Sequence, residues 1–218
     1  MYKILDLFDL AHTQAAGYLS AYTYPWEALA GLKAFIRGLG QSLDKREYGE
    51  IAHEVWAHRS ATIAPSACII APCIIGAETE IRQGAFLRGG VLLGKNCVVG
   101  NSTELKNSIL FDGAKAPHFN YVGDSILGFN AHLGAGAITS NVKSDKSFIT
   151  IKSEAEALQT NLKKVGAFVG DFAEIGCNSV LNPGTVIGKN ATVYPLSSVR
   201  GTIPHHTIYK KEKIIKKL

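Results

Sequence analysis

The sequence predicts a mainly β protein, a parallel β-solenoid of hexapeptide repeats preceded by a small helical region. A smaller residue lies four positions after most members of a large apolar series, and glycine often follows the large residue directly, as at Gly76 and Gly94. A six-residue period fits neither an α-helix nor a half-buried antiparallel strand. It is typical of solenoid coils of about 18 residues that stack at the strand spacing of ~4.8 Å. The large residues recur at Ile63, Ile69, Ile75, Ile81, Leu87, Leu93, Val99, Leu105 and Phe111.

Residues 1–57 lack this period and are predicted to form a helical cap. Pro25 suits the first turn of a helix, and Gly38 and Gly40 suit its end. The apolar residues between them fall on one helical face. Because the open ends of a solenoid need covering, we expect this segment to pack on an end of the solenoid. A partner-docking arm is the alternative.

The β-solenoid itself is predicted over residues 58–203. Its register slips around residues 116–122, and such a break in a regular repeat is expected at functional sites. Residues 140–164 are polar and charged, and they predict an insertion loop with a hairpin around residues 148–152. Residues 204–218 form a basic tail, either a frayed solvated helix or a segment that contacts phosphate.

Composition places the chain among soluble globular proteins. It has 218 residues, of which 46% are hydrophobic and 19% charged. No apolar run approaches the ~20 residues of a membrane span, and the first residues lack the pattern of a signal peptide, so we expect a cytoplasmic protein without membrane contact. The four cysteines show no zinc spacing and are expected to be free thiols. The net charge of +5 suits an anionic small ligand, and no nucleic-acid motif is present.

The most specific sequence motifs lie in residues 104–141 and in the GAFVGD run that follows the insertion. This segment resembles the acetyltransferase half of the bifunctional bacterial enzymes that acetylate glucosamine-1-phosphate and then uridylylate it. It is also similar to the C-terminal domain of archaeal sugar-1-phosphate nucleotidylyltransferases, and the similarity spans roughly residues 60–200. The resemblance implies a left-handed parallel β-helix, a homotrimer, and an acetyl-CoA-dependent N-acetyltransferase of nucleotide-sugar and cell-envelope biosynthesis. The implied acceptor is an amino-sugar phosphate, either a hexosamine-1-phosphate or a nucleotide-linked amino sugar, and no metal is implied.

The resemblance also assigns site residues. His118 falls on the catalytic base, Glu104 on the carboxylate that orients it, Tyr121 on the tyrosine near the reacting carbonyl, and Asn141 on an active-site asparagine. The substrate-binding positions are Arg88 and Lys106 for the sugar phosphate, with His132 and Lys146 on the acceptor side. The cofactor-binding positions for acetyl-CoA are Gly134, Ala135, Cys177 and Pro195.

The chemistry of these residue types agrees with the assigned roles. A neutral histidine can remove the amine proton near pH 7, and a carboxylate can fix its tautomer. Glu104 precedes His118 by less than one coil, so the two could be close. Arg88 and Lys106 are one coil apart and stacked, and two stacked cations favour an anion site unless a carboxylate lies between them.

Two departures from the bacterial pattern leave the acceptor sugar open. His132 replaces an asparagine, and Lys146 is one residue away from the loop lysine of that family. A zinc enzyme is a second possibility, although only His118 and His132 are candidate ligands within the coils. A third possibility is a non-catalytic trimer that binds sugar phosphates or sugar nucleotides and lacks the nucleotidyltransferase domain.

Overall fold

The structure, a computed structural model, describes residues 1–217. It confirms the predicted fold: a left-handed parallel β-helix of about nine turns with a small N-terminal helical region. The strands form a 14-stranded sheet, a 9-stranded sheet and a separate two-stranded hairpin. Among the described residues, no helix is long and apolar enough to span a membrane.

The helical elements are α1 (Ile4–Leu7), a 3₁₀ turn (Leu10–His12), α2 (Ala16–Leu19), a second 3₁₀ helix (Pro25–Leu29) and α3 (Leu32–Ser42). The strands are β1 (Tyr48–Ala52), β2 (Val55–His58), β3 (Thr62–Ile63), β4 (Cys68–Ile70), β5 (Cys73–Ile75), β6 (Glu80–Ile81), β7 (Phe86–Arg88), β8 (Val91–Leu93), β9 (Val98–Asn101), β10 (Glu104–Leu110), β11 (Lys115–His118), β12 (Tyr121–Leu127), β13 (His132–Leu133), β14 (Ile138–Thr139), β15 (Thr150–Lys152), β16 (Ala157–Gln159), β17 (Ala167–Val169), β18 (Glu174–Ile175), β19 (Val180–Leu181), β20 (Thr185–Ile187), β21 (Thr192–Val193), β22 (Ser198–Val199), β23 (Thr202–Ile203), β24 (Thr207–Lys210) and β25 (Lys213–Lys216).

Three faces of a triangular prism follow from the strand pairing. The first face is the 9-stranded sheet, from β3 to β25. The second face holds β4, β7, the first halves of β10 and β12, then β14, β19 and β22. The third face holds β2, β5, β8, the second halves of β10 and β12, then β17, β20 and β23. We call the corner between the first and second faces edge A, and the corner between the second and third faces edge B.

The predicted register slip is present, and it begins earlier in the chain than expected. Phe86 pairs with Glu104, 18 residues later, whereas Val91 pairs with Ser108, only 17 residues later. One residue is therefore lost at edge B, where Asn107 replaces a pair of glycines. Asn107 has a left-handed φ of 47°, a conformation that asparagine tolerates better than most residues. The shorter step continues into the next coil, where Glu104 pairs with Tyr121.

The interior of the prism explains the glycines that follow the large apolar residues. A Cβ on Gly94 would lie 2.6 Å from the backbone nitrogen of Asp112 on the next coil. The backbones of adjacent coils approach so closely there that only glycine fits. The large residues point inward, and Cys73 and Cys97 fill small interior positions where both are fully buried.

The N-terminal helical region does not cover an end of the solenoid, contrary to our expectation. It lies along the whole third face: the Tyr2 hydroxyl accepts from the His205 N–H at 3.2 Å, and Arg37 pairs with Glu54 at 2.8 Å near the opposite end. The reason is the third face itself, which presents large apolar side chains outward and needs a cover along its length. These side chains belong to one buried cluster with the N-terminal segment and with Ile149 and Ile151 of the insertion: Trp56, Ile74, Leu92, Ile109, Ile126, Phe168 and Val186. Strand structure begins at Tyr48, within the segment predicted to be helical.

The insertion contains the predicted hairpin, formed by β15 and β16. The basic tail is a hairpin too, which corrects the frayed helix that was one of our two expectations for it. Strand β24 extends the first face by pairing with β21, and β25 returns antiparallel to it. Lys211 and Glu212 both have positive φ (50° and 60°), the geometry of a two-residue turn that matches strand twist. Leu218, the last residue of the predicted tail, lies outside the described residues.

Candidate active site

Edge A carries His118 and three of the predicted cofactor-binding residues in a single column, which we call the edge-A column: His118, Ala135, Cys177 and Pro195. The His118 carbonyl accepts from Gly136 N–H at 3.0 Å, the Ala135 carbonyl from Asn178 N–H at 2.8 Å, and the Cys177 carbonyl from Leu196 N–H at 2.9 Å. Each bond joins one coil to the next, so these residues are stacked at about 4.8 Å per step. Gly134 precedes the second member and shares its turn.

Two backbone donors are available along the edge-A column. Within residues 1–217, the N–H groups of Ala135 and Cys177 donate to no other group. Cys177 and Pro195 are both exposed to solvent. The column therefore offers an open edge with unused amide donors.

Asn120 fixes the turn that carries His118, and the sequence analysis missed it. Its side-chain oxygen accepts from the His118 N–H at 3.1 Å, and its amide donates to the carbonyls of Gly134 (2.8 Å) and Ala137 (3.1 Å). The residue is almost fully buried. A signal was present, because Asn120 occupies an interior position that other coils fill with small residues such as Ala137.

Glu104 does not contact His118, contrary to the expected pairing. Its carboxylate accepts from Arg88 Nη1 at 2.5 Å. The imidazole of His118 is exposed and makes no hydrogen bond to any described residue. The ladder register gives the reason: Glu104 lies beside Tyr121 on the second face, whereas His118 pairs with Asn101 around edge A.

Arg88 and Lys106 are stacked on the second face as predicted, and a carboxylate pairs with each. The Glu104 carboxylate raises the pKa of the Arg88 guanidinium further. Lys106 Nζ lies 3.2 Å from a side-chain oxygen of Asp124 on the next coil. The two cations therefore do not form a site of unbalanced positive charge.

Asp124, which the sequence analysis also missed, is the centre of a polar network at edge B. It is buried and accepts from the amides of Asn107 at 2.9 Å and Asn141 at 2.5 Å, in addition to Lys106. The Asn141 amide also donates to the Tyr121 hydroxyl at 3.2 Å. We call Tyr121, Asn141, Asp124, Lys106 and Asn107 the edge-B network. An acid within an apolar strand was the available signal.

Tyr121 connects the edge-A column with the edge-B network, since it follows His118 by three positions and belongs to the edge-B network. Burial raises the pKa of its phenol, and the negative charges of Asp124 and Glu104 raise it further. The phenol is therefore a hydrogen-bond donor at neutral pH.

His132 and Lys146 are not brought to this group within one chain. His132 lies on the first face, where its Nδ1 is 2.8 Å from a carboxylate oxygen of Glu174. Lys146 is exposed on the insertion. No cluster of three or more metal-ligating side chains occurs within the described part of the chain.

The edge-A column ends at a pocket of about 610 Å³ beside the C-terminal hairpin. Tyr194, Pro195, Leu196, Lys210 and Lys211 contribute to its lining. Lys210 Nζ lies 4.3 Å from the centre of the Tyr194 ring, a cation–π contact. Lys210 and Lys211 therefore lie at the C-terminal end of the edge-A column.

Comparison with known proteins points to one group of relatives. A family profile described as the GMPPB C-terminal domain matches residues 69–157. The bifunctional protein GlmU of Methanococcus maripaludis is 29% identical over 216 residues, which cover 98% of this chain and 52% of the relative. The chain is a hexapeptide-repeat protein that resembles the GlmU acetyltransferase domain. It spans about half the length of the curated relatives that it matches over nearly its whole length.

A second relative and one solved structure extend the comparison. A bifunctional sugar-1-phosphate nucleotidylyltransferase/acetyltransferase of Sulfurisphaera tokodaii is 30% identical over 126 residues, 58% of this chain and 31% of the relative. The acetyltransferase domain of PglB from Neisseria gonorrhoeae superposes with a TM-score of 0.36 and 17% identity, over 69% of this chain and 54% of that domain.

Proposed function

We propose that this protein is an acetyl-CoA-dependent N-acetyltransferase that acts on an amino-sugar phosphate. The acceptor would be a hexosamine-1-phosphate or a nucleotide-linked amino sugar, and His118 would be the general base. One observation carries the proposal: Tyr121, three residues after His118 of the edge-A column, is joined through Asn141 and Asp124 to Lys106 on the second face. The resemblance to GlmU proteins along nearly the whole chain supports the same activity.

The edge-A column suits the extended pantetheine arm of acetyl-CoA. The unused N–H donors of Ala135 and Cys177 are stacked on successive coils and can bond the amide carbonyls of that arm. At the far end, Lys210 and Lys211 suit the phosphates. His118 stands at the other end of the column, where the thioester would lie.

The proposed chemistry is an attack of the acceptor amine on the thioester carbonyl. The new C–N bond forms as His118 accepts the amine proton. The C–S bond then breaks, and the imidazolium of His118 gives this proton to the leaving thiolate to release CoA thiol. Tyr121, protonated at neutral pH, would donate to the oxyanion of the tetrahedral intermediate. Arg88 and Lys106 would hold the sugar phosphate. The phosphate would partly replace Glu104 and Asp124 as their anionic partners.

A homotrimer is part of the proposal, because one chain leaves the second face uncovered. Ile70 and Ile138 on this face are 48% and 38% exposed, and Phe119 and Leu196 on edge A are 61% and 80% exposed. Packing between copies would bury these apolar side chains. It would also allow His132 or Lys146 of one copy to approach the second face of another.

One observation favours a second candidate, a non-catalytic binding protein for sugar phosphates or sugar nucleotides. The imidazole of His118 has no orienting carboxylate within the described residues, and Arg88 holds the one that we expected. In that case the site would bind acceptor and release no thiol.

A thiol-release assay with acetyl-CoA separates the two candidates. The acceptor panel contains glucosamine-1-phosphate, galactosamine-1-phosphate, UDP-linked amino sugars and glucosamine without phosphate. We expect thiol release with a phosphorylated acceptor and an N-acetylated product of the matching mass. Calorimetric binding of these acceptors without any thiol release would reject the enzyme and favour the binding protein.

A further inference from the structure

Asp124 has no part in the proposed acetyl transfer, yet it is buried and makes several hydrogen bonds. The residue is 5% exposed, and it receives three donors from two elements: Lys106 and Asn107 on the preceding coil, and Asn141 at the start of the insertion. Its own backbone has a left-handed φ of 49°. A buried carboxylate with several donors is strongly held, and it holds those donors in return.

The backbone of Asp124 also closes the insertion. Its carbonyl accepts from Gly166 N–H at 2.8 Å, and the Asn141 carbonyl accepts from Val165 N–H at 3.0 Å. A Cβ on Gly166 would lie 2.1 Å from the carbonyl oxygen of Gly123, so the chain returns to the solenoid in direct contact with this strand. Asp124 therefore joins the start of the insertion through its side chain and the end through its main chain.

We propose that Asp124 is a positioning residue for the acceptor side of the site. It holds Lys106 and Asn141 in one arrangement and anchors both ends of the insertion beside them. The proposal rests on the proposed function insofar as Lys106 and Asn141 bind the acceptor. Asp124 faces the second face and not the edge-A column, so its influence falls on the acceptor and not on acetyl-CoA.

The variant Asp124→Asn tests this with little change in shape. Asparagine tolerates the left-handed backbone, and its amide oxygen replaces one acceptor. Its NH₂ group, however, faces a donor in the place of a carboxylate oxygen that accepted from it, so Asn107 and Asn141 cannot both stay bonded, and Lys106 loses the negative charge that holds it. The KM for the phosphorylated acceptor should rise about tenfold or more, since a displacement of ~1 Å at a reacting site can cost as much as about 100-fold. The KM for acetyl-CoA should stay within twofold.

Asp171→Asn is the matched control. Asp171 is also buried, lies 3.3 Å from one lysine (Lys189), and accepts from the N–H groups of Asp9 and Phe129, but it lies between the first and third faces. A role in stability alone predicts that both variants lower the melting temperature and leave the acceptor KM unchanged. Equal KM values in Asp124→Asn and wild type would overturn the proposal, as would a parallel rise for acetyl-CoA.

A second readout does not depend on catalysis. Lysines are dimethylated with ¹³C-formaldehyde, and the Lys106 signal is identified by its loss in Lys106→Arg. We expect a Lys106 signal that differs from those of exposed lysines, moves to their position in Asp124→Asn, and stays in place in Asp171→Asn. If wild type transfers no acetyl group, this signal still tests the positioning role, and an unmoved signal rejects it.

Asn107→Gly provides the same test if Asp124→Asn does not fold. Glycine fits the left-handed backbone at this position and removes the side-chain amide, which donates to Asp124 at 2.9 Å and to the Leu29 carbonyl at 3.4 Å. The acceptor KM should rise in the same direction by a smaller factor, with the Lys106 signal shifted partway. An unchanged KM together with an unmoved signal would contradict the proposal.

Discussion

Arg88 and Glu104 form an ion pair across one step of the second face, with 2.5 Å between Nη1 and the carboxylate oxygen. Both side chains are partly exposed, at 44% and 31%, so solvent screens the pair and it contributes little to stability. The ion pair affects the binding of anions. An anion that approaches Arg88 competes with Glu104, and Glu104 is held on the second face away from His118.

Glu104→Gln should lower the KM for a phosphorylated acceptor, because Arg88 loses its competing carboxylate. The value of kcat should fall by less than in His118→Ala. Initial rates over a range of acceptor concentrations measure both. Glu80→Gln is the matched control, since Glu80 pairs with Arg82 at 2.8 Å on the first face and should leave the rates unchanged. A raised acceptor KM in Glu104→Gln would contradict the competition.

His118→Ala should lose roughly 10²–10⁴-fold in turnover, the usual contribution of a positioned base. Acetyl-CoA affinity and oligomeric state should be retained, because the side chain is exposed and makes no contact that holds the coil. Raising the pH from 6 to 9 should partly restore the rate, as more acceptor amine is then deprotonated. His53→Ala, at an exposed turn outside the site, is the control. Turnover within threefold of wild type at pH 7 would remove His118 from the mechanism.

Acetyl-CoA should raise the melting temperature, since a ligand at ~100 times its Kd stabilises by about 2.7 kcal/mol. Replacing Lys210 and Lys211 by glutamine should weaken acetyl-CoA binding by about tenfold, which corresponds to about 1.4 kcal/mol, and reduce its salt dependence. Calorimetric titration at low and high salt measures both effects.

The control for the lysine substitutions changes the same charge on the next strand. Lys213→Gln with Lys216→Gln alters β25, which does not line the pocket at the end of the edge-A column. An equal loss of affinity in both double variants would mean that net charge, and not the pocket, attracts acetyl-CoA.

The protein should sediment at about three times the 23.4 kDa mass of one chain. Ile138→Asp should shift it toward the monomer, because a charge on the exposed second face cannot be buried between copies. Ile51→Asp is the control, since Ile51 is equally apolar and 55% exposed but lies on the β1–β2 hairpin. A 23 kDa species for wild type at micromolar concentration would reject the trimer.

Tyr121 should titrate above the ordinary phenol pKa of about 10. Absorbance at 295 nm from pH 9 to 12, compared with Tyr121→Phe, isolates its titration. In Asp124→Asn the pKa should move down toward the ordinary value, because the loss of a neighbouring negative charge favours the phenolate. Burial, the larger cause, remains and should keep it above 10. An identical titration in wild type and Asp124→Asn would show that the carboxylate does not act on the phenol.

The repeat could be predicted from sequence because its period determines which side chains point inward. Leu87, Leu105 and Val122 lie in the interior, and the edge-A column follows from the same count. Pairings between outward side chains could not be predicted, since they depend on the coil length at one corner. The loss of one residue at Asn107 sets Glu104 beside Tyr121, and no spacing rule shows whether Arg88 or His118 then takes the carboxylate.

The packing of the N-terminal segment could not be predicted from sequence either. Its apolar periodicity predicted helices, but the surface that receives them is formed by residues such as Trp56 and Phe168, which are more than 100 positions apart. The outward apolar positions of one face were visible in the sequence only after the register of all coils was known. The hairpin of the tail was not predicted for a different reason: Lys211 and Glu212 are unusual residues for a turn with two positive φ values.

The course of the N-terminal segment along the third face has a consequence for biosynthesis. In a simple solenoid each coil contacts only its neighbours and can fold as it leaves the ribosome. Here Tyr2 bonds to His205, which is made 203 residues later. The segment therefore has no complete docking surface until the coil that carries His205 has been synthesised, and its apolar side chains stay exposed until then. Once docked, it ties distant coils together, so the prism should unfold as one cooperative unit and not coil by coil.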